Sequence, residues 1–448
     1  MTQELQELSQ MLISAAMQAG ADEADALVVQ GQSILINVRG GQLEKAERSE
    51  GTELGMRVLI GKRQASVSAS DTRQATITEM AARAVAMASE APEDPYIGLA
   101  DATALAQNWS IDKLELNDPS AEPSPENLRQ DAADAEAAAL AEPGISQVEG
   151  AAARFGRMHI QLATSNGFSG DYTRSGRSIF CSAIAGTGSE MERDYDGDSR
   201  IFQSDLRAAS EIGRLAAKRS TERLGARKPK TGAFPILFDE RISASLITHL
   251  LAAANGAAIA RGGSWLRKSL EKPVLPPGLS ITEDPHRPRV SGSRPFDGEG
   301  LPTVPRKIVE DGVLLGWTLD LATGQKLGMR STANAARDTG SPPSPSNWNI
   351  TLTEGTDSRE ALISGMGTGM LVTSMIGATI NLNTGDYSRG AAGFWIENGE
   401  ITHPVNECTI AGSLPDMLLH LTPANDARKH LSRVVPSCLI EGMTLAGN

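Results

Sequence analysis

A chain of 448 residues has room for about three domains of ~150 residues and can bury a core without disulfides or metals. Its net charge of -13 argues against a protein that coats nucleic acid, because phosphate binding needs a basic surface that releases counterions. The three cysteines, Cys181, Cys408 and Cys438, are odd in number and far apart, which fits buried thiols in a reducing compartment and not a disulfide framework or a CxxC knuckle.

Met1 to Glu7 shows no basic segment leading into an apolar one, and no apolar run approaches the ~18 residues of a membrane span. The expectation is a cytoplasmic protein, neither exported nor embedded. Leu5, Leu8, Leu12, Ala16 and Ala19 are spaced as one face of a helix, which Gly20 stops. Two hairpins follow, Ser33–Val38 turning at Gly40-Gly41 into Leu43–Glu47, and Gly55–Ile60 turning at Gly61-Lys62 into Ala65–Ser70. A helix over Ile77–Ser89 closes the first α+β unit before Pro92 and Pro95 break the pattern.

The acidic, proline-containing stretch to Pro125 reads as a linker. Ser124-Pro125 supplies a cap and a first helical residue for an alanine-rich helix ending near Pro143-Gly144. Strands are expected at Val148–Ala153, Met158–Thr164 and Ser178–Ile184, with Asn166-Gly167 as a hairpin turn, and then a helix over Ser204–Arg219. Phe234–Phe238 reads as an apolar strand, and Ile242–Ala254 as a helix. Beyond it the chain is Gly-rich and mostly β. Asp311-Gly312 and Asn398-Gly399 mark hairpins, and Asp357 with Glu360 resembles a capping box before Leu362, Ile363 and Met366.

Several motifs fail on chemistry. Gly365-Met366-Gly367-Thr368-Gly369 has Met370 where a phosphate loop needs its third glycine, and it leads into a strand, so it reads as a structural turn. Gly262-Gly263-Ser264-Trp265-Leu266 ends in Leu where a nucleophile elbow needs a small residue. Glu190 to Asp198 lacks calcium-loop spacing and reads as a solvated loop with local ion pairs. Thr332 to Ser346 is too long and polar for a simple connection; it reads as the mobile rim of a cleft or as an inert surface loop.

A helical zinc site needs two histidines on one face and a glutamate that deprotonates the metal-bound water. His249 is the one helical histidine in an apolar setting, but Leu250 follows it and Ala254 stands where the second histidine would fall. It reads as a hydrogen-bonded groove or core residue.

Several segments together resemble the TldD/PmbA family: Gly55-Met56-Arg57-Val58, Ser68–Asp71, Met191–Tyr195, Ile281–Pro285, Pro295–Gly300, Leu327-Gly328, Ser331–Asn334, Gly385–Glu400 and Thr409–Gly412. The resemblance is to its PmbA branch, also called TldE. The TldD branch carries a HExxxH zinc motif and a downstream cysteine ligand. Placing that motif here puts its first His at His249, its Glu at Leu250 and its second His at Ala254, and neither Cys408 nor Cys438 sits in the context of the ligand cysteine.

The resemblance therefore implies a subunit with no catalytic or metal residues of its own, no cofactor in this chain, and zinc in a TldD-type metallopeptidase partner. The implied pair is a heterodimer or higher assembly acting on peptides or unfolded polypeptides that enter an enclosed cavity as extended strands, and peptidase activity is expected only with that partner. The family also carries an older label as a modulator of DNA gyrase. The alternative is a homodimer that binds peptides or a protein partner without hydrolysis.

The expected fold is α+β: an N-terminal α+β domain (1–92), a linker (93–125), a middle α+β domain (126–228), and a β-rich, barrel-like C-terminal domain (229–448). Gly365–Gly369 and Gly390–Gly393 are places for close backbone approach, with ordinary packing the first reading. His249, Asp386 and Arg389 are the substrate-channel candidates, with an internal ion pair between Asp386 and Arg389 ranked first.

Overall fold

In the computed structural model, which describes residues 2–447, α1 (Thr2–Gln18) precedes three strands, β1 (Glu23–Arg39), β2 (Gln42–Ile60) and β3 (Arg63–Ala69). The two expected hairpins are thus one meander that shares a long middle strand. After α2 (Gln74–Glu90) come α3 (Pro125–Leu140), β4 (Ile145–Thr164), β5 (Ser169–Ala185), β6 (Glu192–Arg200) and α4 (Ala209–Thr221). Ser124 caps α3 in a capping box, with Pro125 opening the helix. The strands form one antiparallel sheet in the order β3-β2-β1-β4-β5-β6.

One sheet therefore spans the first and middle thirds of the chain, joined where β1 pairs with β4 from Asp25 opposite Thr164 to Val38 opposite Ala151. Side chains alternate between faces along a strand. Ala24, Ala26 and Val28 of β1 pack under α1 and α2, and Ile34, Ile36 and Val38 under α3 and α4. All four helices thus lie on one face. The same alternation explains why β4 is continuous where two strands were expected: Arg154 and Gly156 interrupt the apolar pattern because they point to the helix-free face, while Ala153 and Phe155 enter the core.

Residues 93–125 lie along the sheet, burying Ile97, Ala100, Ala106, Leu114 and Leu116. Trp109 packs tilted against Phe168 and edge-on to Phe296, with ring centroids 5.8 and 5.1 Å away. The acidic segment expected as a solvated loop is instead the edge strand β6. Asp194, Asp196 and Asp198 share one buried face because arginines meet each of them: Arg241 and Arg223 on Asp194, Arg207 and Arg219 on Asp196, Arg200 on Asp198.

The C-terminal part holds a closed five-stranded barrel. β7 (Gly232–Phe238) leads into α5 (Glu240–Ala253); later come α6 (Arg359–Gly365), β8 (Gly369–Ile380), β9 (Asp386–Glu397), β10 (Glu400–Ser413) and β11 (Cys438–Ala446). The order is β10-β9-β8-β7-β11, and pairing of β10 with β11 closes the ring. β7 runs parallel to β8 and antiparallel to β11. A smaller five-stranded sheet contains Ile281–Glu283, Arg306–Glu310 and Ile350–Leu352. α5 buries Leu246, Ile247, Leu250 and Leu251 in one core with Ile236 and Val372 of the barrel and Ile281 and Ile350 of the small sheet.

The cap of α6 is Ser358, whose hydroxyl accepts from the Ala361 amide at 3.1 Å, and not the expected Asp357. Asn398 and Gly399 take φ of 53° and 77°, the left-handed pair that a two-residue hairpin requires. Gly393 is a packing glycine: a Cβ there would stand 1.9 Å from the Leu371 carbonyl oxygen on the neighbouring strand. Gly393→Ala should therefore lower stability by about 2–3 kcal/mol, as overpacked cores do. The urea midpoint of the C-terminal transition measures this, and an unshifted midpoint would contradict the barrel packing described.

Candidate functional site

Leu250 and Ala254 are fully buried in the core, which turns the preceding residue, His249, toward the edge of that core. His249 is half-buried, its ring edge-on to Tyr387 at 6.1 Å, and its Nε2 is buried without a hydrogen-bond partner. Tyr387 donates its hydroxyl to Met375 Sδ at 3.3 Å. Arg389, two residues on and therefore on the same strand face, donates from Nε to the Gly377 carbonyl at 2.7 Å. Burial, and then the Arg389 charge, hold the His249 imidazole below its ordinary value. Burial pushes the Tyr387 phenol up to about 12.

The expected ion pair between Asp386 and Arg389 does not form. Three residues apart on a strand, they point to opposite faces, and Asp386 instead accepts from the Thr384 hydroxyl at 2.5 Å. His249 and Arg389 come together; Asp386 lies apart from them. Among the described residues no group of three His, Cys, Asp or Glu side chains converges as a metal site would.

A second constellation was not expected from the sequence. Asp25 and Arg57 are direct cross-strand partners on the helix-free face, and Arg57 donates to Asp25 from Nε at 2.7 Å. Arg337, from the segment 332–346, binds the other carboxylate oxygen. All three are buried. Burial alone would raise the Asp25 carboxyl, but Arg337 and Arg57 outweigh it and hold it below the usual range. Beside them lie Asp297 and Glu299, both buried. Asp297 accepts from the Glu299 and Leu301 amides at 2.9 Å and from Ala335 at 3.1 Å, and Glu299 accepts from Leu321 at 2.9 Å. The available signal was a lone charge inside an apolar strand, as in Ala24-Asp25-Ala26 and Met56-Arg57-Val58.

The helix-free face also carries a cleft of about 680 Å³. Its floor follows from the register: Gly51, Gly31 and Met158 lie side by side across β2, β1 and β4, and the next row is Ser49, Ser33, Gly156 and Gly176. The small residues Gly51, Gly31, Ser49, Ser33, Gly156 and Gly176 leave a trough across the strands, with Met158 standing in its first row. Glu53 borders it at the β2 end, and Arg154 and Arg174 stand at the other. The segment 332–346, expected as a cleft rim or an inert loop, reaches this border: Thr339 donates its hydroxyl to Glu53 at 3.2 Å, and a Cβ on Gly55 would stand 2.5 Å from the Thr339 carbonyl oxygen.

The depressed imidazole makes a pH prediction. Because the folded state resists protonating His249, its contribution to stability is lost as pH falls below the ordinary histidine value of ~6.5. Arg389→Gln removes the nearby cation, so the His249 midpoint followed by NMR should rise yet stay below the ordinary value, since burial remains. A midpoint that stays put or drops would refute the assigned cause.

Comparison with known proteins accounts for the whole chain. Residues 24–88, 118–224 and 231–447 match, in order, the PmbA/TldA metallopeptidase domain 1, central domain and C-terminal domain. A Haemophilus influenzae relative called metalloprotease PmbA homolog is 35% identical over 451 residues, covering 100% of this chain and 97% of the relative. A solved Bacteroides thetaiotaomicron structure described as a modulator of DNA gyrase superposes with a TM-score of 0.91 at 26% identity, covering 99% of this chain and 98% of that one. The Thermococcus kodakarensis TldE structure shares the fold, with a TM-score of 0.84 at 20% identity over 98% of this chain and 100% of that one. The chain belongs to the PmbA/TldD metallopeptidase family.

Proposed function

We propose that this chain is the non-catalytic PmbA/TldE-type subunit of a cytoplasmic zinc peptidase pair, with zinc and hydrolysis supplied by a TldD-type partner. The observation that carries the reading is the trio His249, Leu250 and Ala254. A catalytic zinc needs three protein ligands and a base for its water, whereas Leu250 and Ala254 offer no donor atom and are sealed in the core. The residues present do not fit a zinc ion, and no chemical step passes through one in this chain.

What the chain contributes is a surface for the substrate. The trough on the helix-free face crosses five strands spaced ~4.8 Å apart, a span of ~19 Å that accommodates about five or six extended residues. Its serine hydroxyls, Ser33, Ser49 and Ser178, can bond to the main chain of an extended polypeptide, a mode that tolerates varied side-chain sequence. Glu53 at one end and Arg154 and Arg174 at the other complement the opposite polarity of an extended polypeptide.

Metal content and casein-fragment hydrolysis, measured on this chain alone and mixed with a TldD-type subunit of the same organism, test the assignment. Zinc and cleavage are expected only in the mixture. Activity of the lone chain would overturn the reading, and an inactive mixture would favour the peptide-binding homodimer. The trough has its own test. A Cβ at Gly51 or Gly176 meets nothing within 4 Å, so both positions accept a side chain, and Gly51→Val with Gly176→Val fills the trough with a strand-favouring residue. This double variant should keep its thermal midpoint and bind an unfolded peptide at least tenfold more weakly; unchanged binding would exclude the trough.

A further inference from the structure

The outer half of β2 is a strand that no core requires. Residues 54–59 are buried between β1 and β3, but every residue from 42 to 51 is exposed. This half stays extended because β1 carries it along one side and two carboxylates pin it. Glu136 of α3 accepts from the Gly40 and Gly41 amides at the hairpin turn, at 2.6 and 2.8 Å, and Glu122 accepts from Arg48 at 2.9 Å. Among the described residues no strand pairs with its other side before β3, whose Ala69 lies opposite Leu54. The arm of the C-terminal domain, residues 332–346, meets β2 at the same boundary, where Thr339 bonds Glu53. What remains is an open edge over residues 42–53, held in strand form, whose backbone donors and acceptors can pair with another strand.

Charges along an exposed edge ordinarily oppose pairing. Here they are patterned: Glu44, Lys45, Glu47, Arg48 and Glu50 alternate in sign, separated only by Ala46 and Ser49. The same edge on a second copy meets this one antiparallel about a twofold axis perpendicular to the sheet, the isologous contact of a symmetric dimer. Residues opposite each other then share a face, so the register is centred on a residue. Centres at Arg48 or beyond drive one copy's chain onto the position opposite Leu54 that β3 already occupies in the other. Centres at Glu44, Lys45 or Glu47 each set a charge against itself across the axis, which repels. Centring on Ala46 reverses this: Lys45 faces the second copy's Glu47, Glu47 faces its Lys45, and the small Ala46 side chains sit on the axis. Glu44, the extra residue where the β1–β2 register shifts between Asn37 and Val38, comes beside the second copy's Arg48.

We propose that the open edge of β2 is a homodimer interface, residues 42–50 pairing with the same segment of a second copy about Ala46. Two six-stranded sheets join into one along a ladder of ~30 Å at ~3.4 Å per residue. Lys45 and Glu47 already pair at 2.8 Å within one chain, and with their copies they form a square of alternating charges, so pairing the edge strands no charge. Because the axis is perpendicular to the sheet, both helix-free faces and both troughs open to the same side. The inference rests on this strand and holds whether or not the trough binds polypeptide.

Sedimentation velocity of the full chain over a range of concentrations tests it. Wild-type protein should pass from monomer to dimer as concentration rises, and associate more weakly at high salt. The Lys45 and Glu47 side chains are about half exposed, so Lys45→Glu and Glu47→Lys leave the fold intact. Each sets like charges across the axis and should weaken self-association at least tenfold. An equimolar mixture of these two single variants should recover the dimer, because each then meets opposite charges, and so should the double variant Lys45→Glu/Glu47→Lys. A wild-type chain that stays monomeric throughout, a dimer indifferent to both single variants, or a mixture that fails to associate would sink the proposal.

Discussion

One buried carboxylate holds the two halves of the molecule in position. Asp25 accepts from Arg57 on the neighbouring strand and from Arg337 on the arm of the C-terminal domain, and none of the three side chains reaches solvent. A buried ion pair adds little beyond a hydrophobic replacement, but deleting one partner strands a charge at a cost of ~3–5 kcal/mol. The arrangement therefore works as a positioning device: the C-terminal domain seats where both arginines reach the same carboxylate. That seat covers the rows around Asp25 and Leu27 and leaves the adjoining rows at Gly31 and Ser33 open. The trough is the part of the sheet that this anchor does not cover.

A second ionic band repeats the logic at the far edge. β6 presents three aspartates on one face, and the arginines that meet them come from β6 itself (Arg200), from the connection before α4 (Arg207), from α4 (Arg219), from the connection after it (Arg223) and from α5 (Arg241). Arg241 on α5 bonds Asp194 at 2.9 Å, so the helix that carries His249 is tied to the middle of the chain by charge. The helix-side cores of the sheet and the core of the barrel stay separate; an apolar cluster of Leu27, Phe168, Tyr172 and Phe296 joins the two parts, and the directional ion pairs add a preferred angle that apolar area lacks.

Local signals are legible in the sequence. α1, α2, the Ser124-Pro125 start of α3 and the turns at Asn166-Gly167, Asp311-Gly312 and Asn398-Gly399 each depend on a few adjacent residues whose conformational preferences decide the outcome. Properties that depend on partners distant in sequence were not legible. The continuity of β4 required knowing which face Arg154 would take. The acidic run around Asp196 looks solvated in the sequence because the arginines that bury Asp194 and Asp196 lie from 11 to 47 residues away. At the candidate site, the spacing of His249, Leu250 and Ala254 was readable directly, and strand parity alone argues against pairing Asp386 with Arg389. The Asp25 node was hidden because its three members come from three widely separated segments, although the segments that carried the family resemblance include Arg57, Asp297 and Glu299.

Barrel closure also has a kinetic consequence. β7 lies between β8 and β11, and its pairing with β11 joins Phe238 to Cys438. Contacts so remote in sequence are slow to form, because the loop must close before the pairing repays it. Until β11 arrives, β7 presents Ile236, Leu237 and Phe238 on an unpaired edge, a short apolar strand of the kind that templates aggregation. For a nascent or refolding chain the vulnerable interval is therefore set by the arrival of 438–446, and holding β7 apart during that interval is the service a folding helper would provide.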